Sequence, residues 1–453
     1  MLIASMIPRI QCALIFILWS QASLLVHAYS KISDDALRGL RRPETSEFDI
    51  HIGSILSPIL IPRVPGTEGS SRVLQHFVSY IYENLPEWTV EIQNSTSTTP
   101  TSNGAEVPFR NFIAYRDPPN TSPGDVGRLT LVAHYDSLQT PEGFIGAIDS
   151  AAPCAMILHA AKSINAALTS KWTSESFLSS LDDEDRGQGI QILFLDGEEA
   201  FLSWTATDSV YGARSLSFEW DQTYHSAQST YKTRLESISL FLLLDLLGSP
   251  NPVIPSYFKT THWAYQRLAA LESRLRSLSL FASSSSTNPN VWFPDSQKNA
   301  HDPTVRFPSH SIQDDHIPFM ARGVEVLHII PSRFPGVWHT LADTGENLDI
   351  KTVEDWSILI QGFIAEWLSL DEWMEKRIEW DDVGKKDITD DDNTEKKREK
   401  REKILQQQDI RKESPPPKPT VGTGAMADKS HGKSKQDEKE KVETVMVISK
   451  TEL

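Results

Sequence analysis

Acidic side chains and histidines follow the apolar runs of this sequence, at the points where buried strands would end. The run QILFL leads to Glu198 and Glu199, adjacent carboxylates that are costly to bury unless a metal, a cation or hydrogen bonds offset their charge. Similar residues follow other runs or lie in loops: His134, Asp136, Asp149, Asp245, Asp314, Asp315, His316 and His339. This mixture of Asp, Glu and His fits a divalent metal bound through oxygen and nitrogen, and zinc suits the set best.

A single acidic residue of this kind has a simpler explanation. Asp149 and Ser150, for example, could cap the helix that the next residues, APCAMILHAAKSI, would form. Caps do not explain why polar residues follow several strands in succession. Because the carboxyl ends of parallel strands meet at one edge of a sheet, we expect these side chains to converge there.

The elements that would position these residues are strands alternating with helices. Continuous apolar runs predict strands at 111–115, 128–134, 190–195, 240–244 and 324–330. Helical spacing of apolar residues predicts helices at 71–85, 152–168, 262–280 and 353–370. This alternation predicts a single α/β domain with a central mixed, mostly parallel β-sheet and helices on both faces.

The composition is that of a globular protein and limits the classes of partner. The chain has 453 residues, of which 39% are hydrophobic, and a formal net charge of -17. This charge argues against nucleic-acid binding, which requires a basic surface, and fits a protein that acts on peptides or small molecules. Of the two cysteines, Cys12 lies in the apolar N-terminal stretch, so Cys154 would remain without an intrachain partner.

The N-terminus predicts a secretory signal peptide at residues 1–28. Arg9 precedes the apolar stretch QCALIFILWSQASLLV, and Val26 and Ala28 place small residues where a signal peptidase cleaves. The alternative is an uncleaved signal anchor, because the stretch is near the upper length limit of a signal core. No other segment of the sequence is long and apolar enough to span a bilayer. Sequons at Asn94 and Asn120, both in loop-like Ser/Thr/Pro-rich sequence, also predict entry into the secretory pathway.

The C-terminal part differs in composition from the rest. Residues 29–376 form the predicted catalytic domain, whereas residues 377–453 form a highly charged tail with a proline cluster at 415–417. This tail has too little apolar surface to fold alone, and we expect it to be disordered. The last residues, Lys450–Leu453, resemble the K-D-E-L retrieval signal, although chance on a charged tail explains them equally well. The protein would be secreted or retained in the endoplasmic reticulum.

The motifs around the acidic residues resemble those of one family. HYDS, AIDSAAPCAM, FLDGEEAF, LLDLLGSPNP, QDDHIPF and FPGVWHT, in this order, are similar to the motifs of animal-type glutaminyl-peptide cyclotransferases, or glutaminyl cyclases. These enzymes are relatives of the zinc aminopeptidases of the M28 family and have a similar fold. The resemblance extends from about Arg63 to about Leu370. It implies one zinc ion per chain and conversion of the N-terminal glutamine of peptides or proteins to pyroglutamate, with N-terminal glutamate left open as a slower substrate.

The resemblance also implies roles for individual residues. Three residues would be zinc ligands, with a fourth position open to water or substrate: Asp149, Glu199 and His339. Glu198 would be the general acid and base, with Asp245 and Asp314 as the acidic residues beside it. Four residues would line the substrate pocket: Trp204, Gln313, Phe334 and Trp338. His316, in the same motif as Asp314, would order its loop.

The sequence departs from the family pattern at one position. In animal members a cysteine directly before the HYDS motif pairs with the cysteine of the SAAPCA segment. Here Ala133 stands before His134, while Cys154 remains. The absence of this disulfide affects rigidity near the site and not the chemistry, because neither sulfur is a ligand.

Two other functions remain open at this point. A zinc aminopeptidase on the same fold would use the five positions of a two-metal site: His134, Asp149, Glu199, Asp245 and His339. The cyclase-like sequence around Asp245, Asp314 and Trp338 favours the cyclotransferase instead. A catalytically silent peptide-binding protein is disfavoured because Glu198 and the three implied ligands are all present. We expect the protein to be a monomer.

Overall fold

The computed structural model describes residues 30–179, 187–283, 292–309 and 312–375. The predicted signal peptide, the predicted tail and the K-T-E-L terminus lie outside these residues. Six strands of the described part form one sheet: β1 (Thr89–Thr98), β2 (Glu106–Arg116), β3 (Gly127–His134), β4 (Gln188–Leu195), β5 (Ile238–Leu244) and β6 (Val326–Ile329). Their order across the sheet is β1-β2-β4-β3-β5-β6.

The α-helices lie before, between and after these strands. They are α1 (Asp34–Arg38), α2 (Thr45–Phe48), α3 (Glu68–Asn84), α4 (Ala152–Thr173), α5 (Glu175–Ser179), α6 (Tyr211–Gln222), α7 (His262–Ser277), α8 (His316–Met320) and α9 (Ile350–Trp367). Short 3-10 helices occupy Ser57–Ile59, Pro123–Asp125 and Gly345–Asn347, and a π-helical stretch, Ala147–Ala151, precedes α4. The four predicted helices are confirmed as α3, α4, α7 and α9. None of the helices in the described part of the chain is both long and apolar enough to cross a membrane.

The sheet is mixed and mostly parallel, as the sequence predicts. Strand β3 is parallel to both of its neighbours, β4 and β5, and β5 is parallel to β6. Strands β1 and β2 form an antiparallel pair, and β2 joins the rest of the sheet by antiparallel pairing with β4. Because β3, β4, β5 and β6 run in the same direction, their carboxyl ends lie at one edge of the sheet.

Strand β1 was not predicted from the sequence. Its residues, TVEIQNSTST, are largely polar, and it lies at the edge of the sheet, where most of its side chains are partly or fully exposed. The expectation that the sequon at Asn94 lies in a loop is therefore wrong, because exposed Asn94 is a residue of β1 opposite Arg110 of β2. The sequon at Asn120 lies outside the helices and strands and is exposed.

Apolar side chains cover both faces of the sheet. Leu131 of β3 belongs to the larger buried cluster, together with Phe77 of α3 and Ile157 of α4. The next residue, Val132, belongs to the second cluster, together with Leu216 of α6. Successive side chains of a strand point to opposite faces, so helices pack on both sides of the sheet. This confirms the predicted α/β architecture and explains why the strands are continuous apolar runs.

Candidate metal centre and active site

The three predicted metal ligands meet at the carboxyl edge of the sheet. Asp149 lies in the π-helical stretch after β3, Glu199 follows β4, and His339 lies in the loop after β6. The Nε2 atom of His339 is 3.5 Å from Oδ2 of Asp149 and 3.5 Å from Oε2 of Glu199. Tetrahedral zinc with bonds of about 2.0–2.1 Å separates its ligand atoms by about 3.3 Å, so the three side chains have the spacing of a zinc site.

One oxygen atom of each of the two carboxylates in this group lacks a hydrogen-bond partner among the described residues. Oδ2 of Asp149 and Oε1 of Glu199 are buried and form no hydrogen bond within the described part of the chain. Burial and the nearby Asp149 carboxylate raise the pKa of Glu199 to about 7. Two buried carboxylates this close together are costly unless a cation offsets their charge. The set of two carboxylates and one imidazole therefore fits a divalent metal and could hold zinc.

His134, at the end of β3, lies among three other carboxylates. Its Nε2 atom is 2.9 Å from Oδ1 of Asp149 and 3.5 Å from Oδ1 of Asp245. Its Nδ1 atom is 3.4 Å from Oδ1 of Asp136. Burial lowers the pKa of His134, but the close approach of these three carboxylates, of which Asp149 forms a hydrogen bond, raises it well above its ordinary value. His134, Asp149 and Asp245 are close enough to hold a second metal, which would require the imidazole to be neutral.

Glu198 is buried next to the candidate ligand Glu199. Burial raises the pKa of Glu198 well above its ordinary value. The positive charge of His134 opposes this rise, and the negative charge of Asp314 adds to it. A carboxyl group with a raised pKa can both take up and deliver a proton, as a general acid and base must.

The two predicted neighbours of Glu198 have pKa values shifted in opposite directions. Burial and the nearby Asp245 raise the pKa of Asp314, although a hydrogen bond to His328 at 2.8 Å limits the rise. For Asp245, burial would raise the pKa, but the nearby His134 and a hydrogen bond from Ser150 outweigh burial and lower it. Buried acids whose pKa values differ in this way are typical of sites that transfer protons.

The main chain at Glu198 and Glu199 is held by a residue whose role the sequence did not predict. The two carboxylate oxygens of Asp136 accept the N–H groups of Glu198 and Glu199, at 3.0 Å and 3.1 Å. Gly197 just before them has a φ of 76°, and a Cβ atom there would clash with the ring of Phe109. Gly197 and Asp136 together fix the turn that presents the two glutamates.

The four predicted pocket residues lie in two contacting pairs. The indole Nε1 of Trp204 donates a hydrogen bond of 2.8 Å to Oε1 of Gln313. The rings of Phe334 and Trp338 meet edge to face with centroids 4.7 Å apart. Trp338 also stacks on His339 at 3.9 Å, so this second pair lies directly against a candidate metal ligand.

Comparison with known proteins assigns the family. The model for "Peptidase family M28" matches residues 111–364. The glutaminyl-peptide cyclotransferase of Bothrops jararaca is 39% identical over 322 residues, which cover 70% of this chain and 80% of that protein. The chain belongs to the glutaminyl-peptide cyclotransferase family. The glutaminyl-peptide cyclotransferase of Drosophila melanogaster is 35% identical over 325 residues, which cover 70% of this chain and 81% of that protein. The crystal structure of Macrostomum lignano glutaminyl cyclase has a TM-score of 0.60 at 30% identity and covers 76% of this chain and 95% of that one.

The contacts of Asp149 and Ser150 decide whether these residues cap a helix. Helix α4 has Ala151 at its N-cap position and no side-chain cap. The Asp149 carboxylate instead faces His134 and His339, and the Ser150 hydroxyl donates to Asp245. The explanation of Asp149 and Ser150 as helix caps is therefore wrong.

Two buried histidines of this cyclotransferase-family chain lie next to Asp314 in the fold: His328 binds it, and His316 packs against His328. His328, on β6, is the partner of Asp314, and its signal in the sequence is a single histidine within the buried run VLHI. His316 begins α8 and is fully buried, with its ring packed against those of His328 at 4.6 Å and Phe258 at 5.5 Å. These contacts fit the expectation that His316 orders its loop.

Asp196 has a structural role. Its Oδ2 atom accepts the N–H of Arg110 at 2.8 Å, and its own N–H donates to Oδ1 of Asn111 at 3.0 Å. Both partners lie on β2, so Asp196 joins the end of β4 to the neighbouring antiparallel strand.

Cys154 is a free and buried thiol, as expected from the sequence. Its Sγ atom donates to the carbonyl oxygen of His134 at 3.3 Å, and the adjacent Ala133 is fully buried. Packing and this weak hydrogen bond therefore occupy the place where animal members of the family were expected to carry a disulfide.

Proposed function

We propose that this chain is a zinc-dependent glutaminyl-peptide cyclotransferase, which converts the N-terminal glutamine of peptides and proteins to pyroglutamate with release of ammonia. Membership of the family supports this reaction. The observation that carries the proposal is the close approach of His339 to Asp149 and Glu199, at 3.5 Å each, directly beside Glu198.

Three residues would hold the zinc ion: Asp149, Glu199 and His339. Their two unpaired buried oxygens and the spacing of their ligand atoms support this assignment. A zinc ion held by these residues would act as a Lewis acid and polarise the γ-carboxamide of the substrate. Two neighbouring residues orient these ligands. His134 binds the carboxylate of Asp149, and Asp136 binds the main-chain N–H groups of Glu198 and Glu199.

Proton transfer is assigned to Glu198. The α-amine of the substrate attacks its own γ-carboxamide carbon, a bond forms between that nitrogen and carbon, and the bond to the amide nitrogen breaks. Glu198 accepts the proton that the amine loses and delivers it to the departing nitrogen, which leaves as ammonia. Asp245 and Asp314 are assigned as the acids that flank Glu198. Asp245 has the lowered pKa, so its carboxylate can accept a hydrogen bond from the neutral amine before it attacks.

The aromatic residues are assigned to the substrate pocket. The pair Trp204 and Gln313 and the pair Phe334 and Trp338 would enclose the N-terminal side chain of the substrate. Hydrolysis of the amide competes with cyclisation, so an enclosure that excludes water favours ring closure. Holding the amine close to the amide carbon adds the advantage of an intramolecular reaction.

We also propose a place of action in the secretory pathway. The signal peptide at residues 1–28 and the exposed sequons at Asn94 and Asn120 support entry and glycosylation. Residues 29–376 would form the catalytic domain of a monomer, and residues 377–453 a disordered tail. Lys450–Leu453 at the end of the tail would decide between secretion and retention in the endoplasmic reticulum.

The test of the proposed reaction uses a peptide that begins with glutamine. Release of ammonia with every residue retained supports the cyclotransferase. Free glutamine together with a shortened peptide would instead identify an aminopeptidase, the alternative that the second candidate metal group, His134, Asp149 and Asp245, favours. The control is the same peptide acetylated at its N-terminus, which lacks the attacking amine and must release no ammonia.

A further inference from the structure

Arg63 is a fully buried cation that binds main-chain carbonyl groups instead of a carboxylate. It is 0% exposed, and it forms no ion pair within the described part of the chain. Its guanidinium donates to the carbonyl oxygens of Tyr135, Ile145, Gly146 (2.9 Å) and Asp149 (3.3 Å), with longer contacts to those of Ile59 and Ile61. Three of these carbonyls belong to residues 145–149, which we call the ligand segment because it ends at Asp149.

The ligand segment is irregular and satisfies only part of its main-chain polar groups locally. Ala151 N–H donates to the carbonyl of Gly146, and Ala152 N–H donates to that of Ala147. Gly146 has a φ of 63°, and a Cβ atom there would clash with the carbonyl oxygen of Asp149. Asp149 has φ and ψ of -122° and 77°, outside the helical region. Buried main-chain carbonyls without a partner are costly, so a segment of this shape requires donors from elsewhere in the chain. Arg63 supplies them.

Asp343 binds the amide groups of the same segment. Its Oδ1 atom accepts the N–H of Ile148 at 2.8 Å, and its main-chain oxygen accepts the N–H of Ala147 at 3.3 Å. Asp343 is 1% exposed and lies in the loop that carries His339, four residues further along the chain. This contact ties the segment that carries Asp149 to the loop that carries His339.

We propose that Arg63 and Asp343 are positioning residues for metal binding: they hold the ligand segment by its carbonyl and amide groups and thereby keep Asp149 at a fixed distance from His339. This inference rests on the proposed role of Asp149 and His339 as metal ligands.

Without Arg63, the carbonyl groups of Ile145 and Asp149 lose the donor that the guanidinium supplies, whereas that of Gly146 keeps the N–H of Ala151. The segment must then change shape to find other donors, which moves the carboxylate of Asp149. Partners behind metal ligands typically contribute about 10–100-fold to metal affinity.

The test compares Arg63→Met with Arg128→Met in the full chain. Arg128 is also a buried arginine, but it pairs with Asp117 at the opposite end of β3 from His134, and it therefore controls for the loss of a buried cation. Zinc affinity is measured by competition with a chromophoric chelator, and the ligand field is followed by the visible spectrum of the cobalt-substituted protein. We expect zinc affinity about 10–100-fold weaker and an altered cobalt spectrum for Arg63→Met, with both unchanged for Arg128→Met.

A second pair of variants tests the contact from Asp343. Asp343→Asn keeps an oxygen that can accept the N–H of Ile148, whereas Asp343→Ala removes it. We expect Asp343→Ala to weaken zinc binding and Asp343→Asn to restore most of the affinity. If Arg63→Met fails to fold, this pair still tests whether contacts to the ligand segment position Asp149, because Arg63 continues to donate to the segment in both Asp343 variants.

Either of two results would overturn the inference. One is a folded Arg63→Met protein with the zinc affinity and cobalt spectrum of the unmodified protein, and the other is equal affinity for Asp343→Ala and Asp343→Asn. Failure of the proposed function is a separate outcome, recognised by Asp149→Ala, which would then bind zinc as tightly as the unmodified protein.

Discussion

His134 binds one carboxylate oxygen of Asp149 and leaves the other oxygen free. Nε2 of His134 is 2.9 Å from Oδ1 of Asp149. Oδ2 of the same carboxylate lies 3.5 Å from Nε2 of His339 and has no hydrogen-bond partner in the described residues. The carboxylate is thereby oriented from one side and available to a metal on the other, an arrangement that is common for the partners of metal ligands.

From this relationship we expect one zinc ion per chain, with His134 as its indirect support. His134→Asn should weaken zinc binding by about 10–100-fold, because the carboxylate of Asp149 loses its orientation. The stoichiometry in saturating zinc should stay at one, as measured by elemental analysis of the protein. Exposed His301 offers the control variant His301→Asn, which should bind zinc normally. A second zinc ion that disappears in His134→Asn would show that His134 is itself a ligand.

Glu198 and His339 are expected to fail in different ways when they are replaced. Glu198→Gln keeps the size of the side chain but cannot accept a proton, so kcat should fall by about 10²–10⁴-fold while zinc content is unchanged. His339→Ala removes a ligand and should lose the zinc. The measurements are steady-state ammonia release and bound zinc, with exposed Glu106→Gln as the control. Full activity in Glu198→Gln would refute its role in proton transfer.

The hydrogen bond between Trp204 and Gln313 should affect substrate binding more than turnover. Trp204→Phe keeps an aromatic ring but removes the donor of this 2.8 Å bond. A hydrogen bond is worth about 0.5–1.5 kcal/mol, so KM for a Gln-peptide should rise about 2- to 10-fold with little change in kcat. Trp263→Phe, at an exposed tryptophan of α7, is the matched control. Unchanged KM in both Trp204→Phe and Trp204→Ala would remove Trp204 from the substrate pocket.

His159 should make the stability of the fold depend on pH, independently of the active site. It is buried on α4, where Gln361 donates to its Nδ1 at 3.3 Å and Glu47 lies 3.6 Å from its Nε2. Burial lowers the pKa of His159 from 6.5 to about 4. Between these values the unfolded chain binds the proton and the folded protein does not, so the free energy of unfolding should rise with pH across this range.

The size of this effect can be checked by urea unfolding at a series of pH values. A shift of this size corresponds to about 3–4 kcal/mol of stability that is present above pH 6.5 and lost as the pH falls towards 4. His159→Gln cannot take up the proton and should have a flatter profile over the same range. Parallel profiles for the two proteins would contradict a buried, neutral His159.

The active-site acids illustrate which parts of the site were predictable. Glu198, Glu199 and His339 were singled out from the sequence because each follows an apolar run, and parallel strands bring the residues after such runs to one edge. Their predicted roles came from the resemblance of the motifs to those of the family. The same pattern did not reveal what Asp136 does, although Asp136 also follows β3. Its role depends on the N–H groups that its carboxylate binds. Those groups belong to Glu198 and Glu199, which lie 62 and 63 positions further along the chain.

The strands of the sheet also differ in whether the sequence alone predicts them. Strands β3 to β6 and the second half of β2 are mostly apolar and buried on both faces, and this character is local and can be read from the sequence. Strand β1 is polar because it lies at the edge of the sheet. Its pairing with β2 is decided by the partner strand, so its sequence alone resembles a loop.

The sequence by itself determined the α/β class, the positions of most buried elements and the residue types that could bind zinc and transfer protons, because hydrophobic periodicity and motif order are properties of neighbouring residues. Only the tertiary structure decided how these residues are held. Arg63 donates to the carbonyl of Ile145 across 82 positions, and Asp343 accepts from Ile148 across 195. Such contacts satisfy buried main-chain groups, which every residue carries alike, so the side-chain sequence does not reveal which of them will need a partner.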